Sequence, residues 1–215
     1  MIAVVDIGTG NLCSVLEALR RIGTTGCCVR SANELEGANG IILPGVGAFG
    51  EGMQRLREQG LAEPIRMAAK SGMPVLGVCL GMQLLADVGY EHGRCEGLGL
   101  LAGEVVPLIP GTHCERVPNM GWRGVHVVRD GVLMDRGVEG EHYCFAHSFH
   151  CVPDEAGDVV ATTSTGVVAS VERGSLFGVQ FHPEKSQDAG LNVLARFAAR
   201  IAPGARGGFG RLDAA

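Results

Sequence analysis

The chain has 215 residues, of which 46% are hydrophobic and 19% charged, with a formal net charge of -5 at pH 7. This composition indicates a globular protein with a core and excludes an intrinsically disordered chain, which needs fewer apolar residues and more net charge. The 18 basic residues form no run, so a nucleic-acid-binding protein that relies on phosphate contacts is not expected. Glycine occurs 34 times, so many positions need its conformational freedom or belong to loops.

The sequence shows no segment that would place it in a membrane. Its charge-free apolar run, residues 71–86, is interrupted by Pro74 and by glycines and is too short to span a bilayer. The N-terminal segment lacks a basic flank and reaches Asp6 at once, so it does not resemble a signal peptide. We therefore expect a soluble, cytoplasmic protein.

Eight cysteines raise the question of disulfides or a metal. They contain no C-x-x-C pair and no zinc-like spacing, so we expect neither a metal site nor structural disulfides. Seven of them are expected to be small buried side chains.

The first half of the chain alternates buried strands with amphipathic helices. A strand at residues 2–6 leads through a glycine turn into a helix that begins near Leu12. This alternation predicts a parallel α/β sheet. The other elements predicted here are strands at 40–43 and 74–79, a helical region at 53–70 divided near Gly60 and Pro64, and a helix at 80–87.

After Gly97, strand candidates follow one another without intervening helices, which predicts antiparallel additions to the sheet. One helix at 191–201 closes the fold. We therefore expect one domain at residues 1–202 and a disordered tail at 203–215. The strand candidates are residues 104–109, 124–128, 143–152, 159–163, 167–172 and 177–181.

The segment Gly77-Val-Cys79-Leu-Gly81 has the pattern of a nucleophile elbow. A buried strand precedes it and a helix follows, as that motif requires. The two glycines let the chain turn sharply and let a substrate approach the sulfur. Cys79 is therefore the candidate nucleophile, with a buried core cysteine as the alternative.

A cysteine nucleophile needs a base, and the base needs an orienting group. His182 follows an apolar strand, and Pro183 favours an extended conformation for it. Glu184 lies two residues further on, so in an extended segment its side chain leaves on the same side as His182. These two residues are the candidate base and its orienting carboxylate.

The glycine-rich loop at residues 44–50 follows a buried strand and would face the elbow at the carboxyl edge of a parallel sheet. Its backbone N–H groups could stabilise an oxyanion, with the N–H of Leu80 as a second donor. The loop has neither the G-x-G-x-x-G nor the GK[ST] pattern, which disfavours phosphate binding.

Together these segments resemble a known family. Residues 74–83 (PVLGVCLGMQ) and 181–184 (FHPE) resemble the class I, or triad, glutamine amidotransferases. Residues 6–14, 43–50, 120–122, 147–148 and 180–186 further resemble, in this order, the glutaminase subunits of imidazole glycerol phosphate synthases. The resemblance extends over residues 1–201 and implies a flavodoxin-like three-layer sandwich, with a mainly parallel central sheet plus antiparallel additions.

The resemblance also implies residue roles. Cys79 would attack the side-chain amide of glutamine, His182 would transfer the proton, and Glu184 would orient His182. The ammonia would pass to a (βα)8-barrel cyclase subunit within a heterodimer, and no cofactor is implied. The substrate and oxyanion site would comprise Gly47, Leu80, Gln83, Ser148 and Phe149, and the docking face Asn11, Met120, Trp122 and Lys185.

Two of the docking residues have ordinary structural interpretations as well. Trp122, the only tryptophan, could belong to the core, and Lys185 could be a solvated surface charge.

Two segments depart from the family pattern. The usual Pro-His-Met-Gly-Trp-Asn is replaced by a segment with Asn119 and Arg123, and the usual His-Ser-Tyr is replaced by a variant with Phe149 and the additional His150. The partner is therefore open, because a paralogous glutaminase supplies ammonia for amidation of surface-polysaccharide sugars. The residues also allow a stand-alone thiol amidase or peptidase, or a regulatory homologue with an inactive site.

Overall fold

The computed structural model describes residues 1–8 and 10–201, and the predicted tail at 203–215 lies outside them. Five α-helices and thirteen β-strands are assigned within these residues. The helices are α1 (Leu12–Arg21), α2 (Phe49–Glu58), α3 (Ala62–Lys70), α4 (Leu80–Leu84) and α5 (Gln187–Ile201). The strands are β1 (Ile2–Val5), β2 (Gly26–Val29), β3 (Gly40–Gly45), β4 (Val75–Cys79), β5 (Ala86–Gly89), β6 (Cys95–Glu96), β7 (Leu101–Pro107), β8 (Asn119–Val127), β9 (His142–His147), β10 (Phe149–Pro153), β11 (Val159–Thr163), β12 (Val168–Arg173) and β13 (Leu176–Val179).

The strands form two sheets. The larger has nine strands in the order β2-β1-β3-β4-β13-β12-β11-β8-β9. Its first five strands are parallel and the remaining pairings are antiparallel. The antiparallel pairings follow Gly97 as predicted, but β13 also follows Gly97 and pairs parallel with β4, so the prediction is wrong for that strand. The smaller sheet, in the order β10-β7-β5-β6, is an element that the sequence did not predict.

Successive side chains of the parallel strands point to opposite faces of the sheet, where they form two separate apolar cores. On β1, Ile2 and Val4 pack with α1 and α5, whereas Ala3 and Val5 pack with α2 and α3 on the opposite face. All four side chains are buried, as expected for a parallel strand covered on both faces. The result is a three-layer sandwich, as predicted.

Several predicted boundaries are wrong. The helix expected at 80–87 ends at Leu84, because the chain then enters β5, which pairs with β7. The strand expected at 143–152 is divided at Ser148, since β9 pairs within the large sheet and β10 within the small one. The strand expected at 124–128 begins at Asn119, and β2 was not predicted.

The prediction of seven buried structural cysteines is wrong for all but Cys151. Cys13 is exposed, and the other five are only partly buried: Cys27, Cys28, Cys95, Cys114 and Cys144. Within residues 1–8 and 10–201, no helix combines the length and apolar content needed to cross a bilayer.

Candidate active site

Cys79 lies at the junction of β4 and α4, at the carboxyl edge of the parallel strands. Its backbone has φ 54° and ψ -111°, a region that residues with a side chain rarely adopt. Such strain is typical of a nucleophile held on a sharp strand-to-helix turn. The elbow predicted from the sequence is therefore present.

The two glycines that flank Cys79 are required by close backbone contacts. A Cβ at Gly77 would lie 2.6 Å from the backbone nitrogen of Met82, and a Cβ at Gly81 would overlap the carbonyl oxygen of Leu43. The helix after the elbow can therefore pack directly against β3 and β4 only because both positions lack a side chain.

His182 follows β13 and is buried beside the elbow. Its Nδ1 lies 2.9 Å from Oε1 of Glu184, whose side chain is only 2% exposed. Two hydrogen bonds hold the main chain of His182: its N–H donates to the carbonyl of Cys144, and its carbonyl accepts from the Ser186 hydroxyl. The predicted base and carboxylate therefore form a rigid pair.

The environment of His182 favours its protonated form. Burial alone would lower the pKa of His182, but hydrogen bonds with Cys79 and Glu184 outweigh burial and raise the pKa to about 9. The thiol of Cys79 lies 3.9 Å from the carbonyl oxygen of Ala146, and its interaction with His182 contributes to the raised pKa of the imidazole. The arrangement can take a proton from the sulfur and hold it for a leaving group.

A cavity of about 460 Å³ opens in front of Cys79, a size typical of small-molecule sites. Gly47 reaches it from the loop after β3 with φ 105°, a conformation that favours glycine. All five residues predicted for the substrate and oxyanion site line this cavity: Gly47, Leu80, Gln83, Ser148 and Phe149.

A buried pair of amide side chains lies behind the nucleophile. Gln83 Nε2 donates to the carbonyl of Phe149 at 2.9 Å and to Oε1 of Gln180 at 3.0 Å. Gln180 Nε2 in turn lies 3.8 Å from Sγ of Cys79. The sequence analysis does not identify Gln180 as a site residue. Its position could have indicated one, because residues two apart in an extended segment, such as Gln180 and His182, project to the same side.

Glu91 is a second residue that the sequence did not predict. It lines the cavity, and its Oε2 accepts a hydrogen bond of 2.8 Å from the backbone N–H of Phe49 at the start of α2. This contact joins residues 42 positions apart, so no local pattern indicated it.

We also searched the described residues for side chains that could bind a metal ion. Within the part of the chain that the structure describes, no group of three or more His, Cys, Asp or Glu side chains is arranged to hold a metal ion.

Residues 3–201 match the family model for glutamine amidotransferase class-I. This chain belongs to that family. Two similar relatives of this amidotransferase are the imidazole glycerol phosphate synthase subunits HisH of Moorella thermoacetica and Geobacillus thermodenitrificans. Both relatives are 47% identical to this chain. The match to the Moorella protein covers 91% of this chain and 93% of that protein. The match to the Geobacillus protein covers 92% of this chain and 94% of that protein.

The fold of the amidotransferase also has a solved counterpart. A crystal structure described as a glutamine amidotransferase superposes with a TM-score of 0.75 and covers 93% of this chain and 97% of that chain. Its sequence identity is 24%, so this likeness supports the fold alone. It agrees with the predicted fold class.

The residues of the amidotransferase that were predicted to dock a partner are all exposed. Met120 is 64% exposed at the rim of the cavity, and Trp122, two residues along β8, is 44% exposed. The alternative that placed Trp122 in the core is therefore wrong. Asn11 precedes α1, and Lys185 follows Glu184.

The residues that depart from the family pattern lie close to the site. Asn119 is buried at the start of β8, whereas Arg123 is exposed on the same strand. His150 is buried in the small sheet, 4.6 Å from the ring of His113, and burial lowers its pKa to about 4. Neither ring nitrogen of His150 has a hydrogen-bond partner among the described residues.

Proposed function

We propose that this protein hydrolyses glutamine to glutamate and ammonia through a thioester on Cys79, and that it delivers the ammonia to the cyclase subunit of an imidazole glycerol phosphate synthase. One observation carries the chemistry: a strained nucleophile elbow faces a buried histidine that a carboxylate holds at 2.9 Å. Membership of the class I amidotransferases and the HisH relatives support the substrate and the pathway.

The proposed reaction has two halves. His182 takes the thiol proton, and the sulfur attacks the amide carbon of glutamine to give a tetrahedral oxyanion. The oxyanion collapses, the C–N bond breaks, and His182 protonates the departing nitrogen so that ammonia leaves and a γ-glutamyl thioester remains. Water, deprotonated by His182, then attacks the thioester and releases glutamate with the thiol restored.

The cavity contains groups suited to both ends of glutamine. The N–H groups of Gly47 and Leu80 are the proposed oxyanion donors, while Gln83, Ser148 and Phe149 hold the substrate. We add Glu91 to this set, because its carboxylate lines the cavity and could accept the α-ammonium group of glutamine.

The proposed partner is a (βα)8-barrel cyclase that forms a heterodimer on the exposed face of Asn11, Met120, Trp122 and Lys185. Large exposed apolar side chains such as Met120 and Trp122 are typical of a protein interface. The proposal places the reaction in the cytoplasm, where the Cys79 thiol stays reduced.

The test is glutamine hydrolysis by the purified protein, alone and with a cognate cyclase. Cys79→Ala should abolish glutamate release and labelling by a glutamine analogue, whereas Cys13→Ala, at an exposed cysteine, should retain both. Unchanged hydrolysis in Cys79→Ala would refute the mechanism.

The partner is tested separately. Co-purification of a sugar-amidating barrel protein instead of the histidine-pathway cyclase would refute the pathway but leave the chemistry intact. Turnover of peptide substrates without any partner would instead indicate a thiol peptidase.

A further inference from the structure

Three polar side chains form a row from the exposed strand β8 to the cavity. Arg123 Nε donates to Oδ1 of Asn119 at 3.1 Å, and Nδ2 of Asn119 lies 3.0 Å from Nε2 of His147. Nδ1 of His147 lies 2.8 Å from the carbonyl oxygen of Phe149. Asn119 and His147 are buried, so water does not replace the bond between these two side chains.

The direction of each bond is set at both ends of the row, by the guanidinium of Arg123 and by the carbonyl oxygen of Phe149, which can only accept. A guanidinium can only donate, so Asn119 must present its oxygen to Arg123 and its NH2 group to His147. Nε2 of His147 is therefore an acceptor, and its proton is on Nδ1, from which it donates to the carbonyl of Phe149. The neutral ring agrees with this assignment, because burial lowers the pKa of His147 to about 4.

The carbonyl of Phe149 connects this row to the nucleophile. It accepts from His147 and from Nε2 of Gln83, which also donates to Gln180. Gln180 then reaches Sγ of Cys79 at 3.8 Å. At the opposite end of the row, two further hydrogen bonds hold the side chain of Arg123: its guanidinium donates to the backbone carbonyls of Met120 and Trp122.

We infer that Arg123 and Asn119 are positioning residues: they fix His147 as the neutral Nδ1–H tautomer, and through the carbonyl of Phe149 they orient Gln83 in the substrate cavity. They thereby link the strand that carries Met120 and Trp122 to the nucleophile. The effect on substrate binding rests on the proposed glutaminase function. The assignment of the His147 tautomer is independent of that function.

Arg123 adds a second constraint on the amide orientation of Asn119. An asparagine at position 119 can present either its oxygen or its NH2 group to His147, and Arg123 removes that ambiguity.

The first experiment measures the imidazole nitrogens of His147 by ¹⁵N NMR in the full chain. We expect a protonated Nδ1 and an unprotonated Nε2 at pH 7. Asn119→Asp replaces the donor by a carboxylate, so Nε2 should become protonated and the pKa of His147 should rise well above 4. The charges of His182 and His150 both interact with His147, so these two histidines must be assigned in the same titration.

The second experiment measures the KM for glutamine. Arg123→Met should raise KM about fivefold with a smaller change in kcat, as expected for loss of one aligned hydrogen bond. Arg200→Met, at an exposed arginine on α5, is the matched control and should leave KM unchanged. The double variant Asn119→Leu with Arg123→Met should raise KM no further than Asn119→Leu alone, because Arg123 acts through Asn119.

The outcomes separate the two claims. An Nε2–H tautomer in the unmodified protein, or additive effects of Asn119→Leu and Arg123→Met in the double variant, would overturn the inference. An intact Nδ1–H tautomer in a protein that does not hydrolyse glutamine would instead refute the proposed function and leave the positioning role standing.

Discussion

His182 lies between a thiol and a carboxylate, and both neighbours favour its protonated form. Its pKa of about 9 exceeds the ordinary value of 6.5, so the folded state binds this proton more tightly than the unfolded state does. The resulting stabilisation is fully present below pH 6.5 and is lost as the pH rises through 9. The same proton is the one that the departing ammonia requires.

Glu184→Gln should reveal both effects. The free energy of unfolding should be lower at pH 6.5 and depend less on pH up to 9, because one of the interactions that raise the pKa of His182 is removed. The kcat for glutamine should fall about a hundredfold or more, because the amide can stabilise the wrong tautomer. Denaturant unfolding and steady-state kinetics measure these quantities.

Asp188→Asn is the matched control, since it makes the same change of charge at an exposed position four residues away. A comparable loss of kcat in this control would show that net charge, rather than orientation of the imidazole, is responsible.

Glu91→Gln should raise the KM for glutamine about tenfold or more, because a hydrogen bond to the charged α-ammonium group is replaced by a neutral one. The kcat should change less, since Glu91 is expected to contact the end of the substrate remote from the amide. Glu96→Gln, at an exposed position five residues further along the chain in β6, should leave KM unchanged. Equal KM values for both variants would remove Glu91 from the substrate site.

The elbow between β4 and α4 depends on backbone packing as well as on the nucleophile. Gly81→Ala should destabilise the protein by about 2 kcal/mol or more, because the added Cβ overlaps the carbonyl oxygen of Leu43 in β3. Gly50→Ala is the control: its Cβ would meet no atom of the described residues within 4 Å, and alanine favours the helix α2. Urea unfolding should therefore show a loss of stability only in the first variant.

Sequence patterns predicted the elements whose environment is uniform along their length. β1 and β4 are buried on both faces and read as continuous apolar runs, and Cys79 could be identified because its motif requires a strand before it and a helix after it. The pair of His182 and Glu184 was predictable for the same reason, because their interaction depends on local spacing.

The elements that were missed depend on distant contacts. Residues 80–87 are apolar enough to continue as a helix, but pairing with β7 draws Ala86–Gly89 into a strand. Similarly, the chain leaves the large sheet at Ser148 because β10 pairs with β7, which lies far away in sequence. Glu91 is recognisable only from its contact with Phe49.

At the scale of the whole molecule, the exposed apolar side chains are not equivalent. Met120 and Met67 are both 64% exposed, but only Met120 lies at the rim of the cavity, whereas Met67 is on α3. Met120→Ala should weaken binding of the cyclase subunit by about tenfold if it is a central interface residue. Met67→Ala should not affect binding.

The affinity of each methionine variant for the cyclase can be measured by fluorescence anisotropy, in which a fluorescently tagged variant is titrated with the purified cyclase. Labelling of Cys79 by a glutamine analogue should remain intact in Met120→Ala. Equal affinities of the two methionine variants would place the interface elsewhere on the molecule.

The strained backbone at Cys79 has a consequence on an evolutionary timescale. A glycine would adopt φ 54° and ψ -111° without the steric cost that a cysteine bears, so the residue that performs the chemistry is not the one that the backbone favours. In a descendant that no longer needs the activity, drift should therefore replace the nucleophile early, because relief of strain offsets part of the lost packing. Selection for heat resistance alone would also favour replacement of Cys79. A laboratory evolution of this protein should therefore select for glutamine hydrolysis as well as for stability.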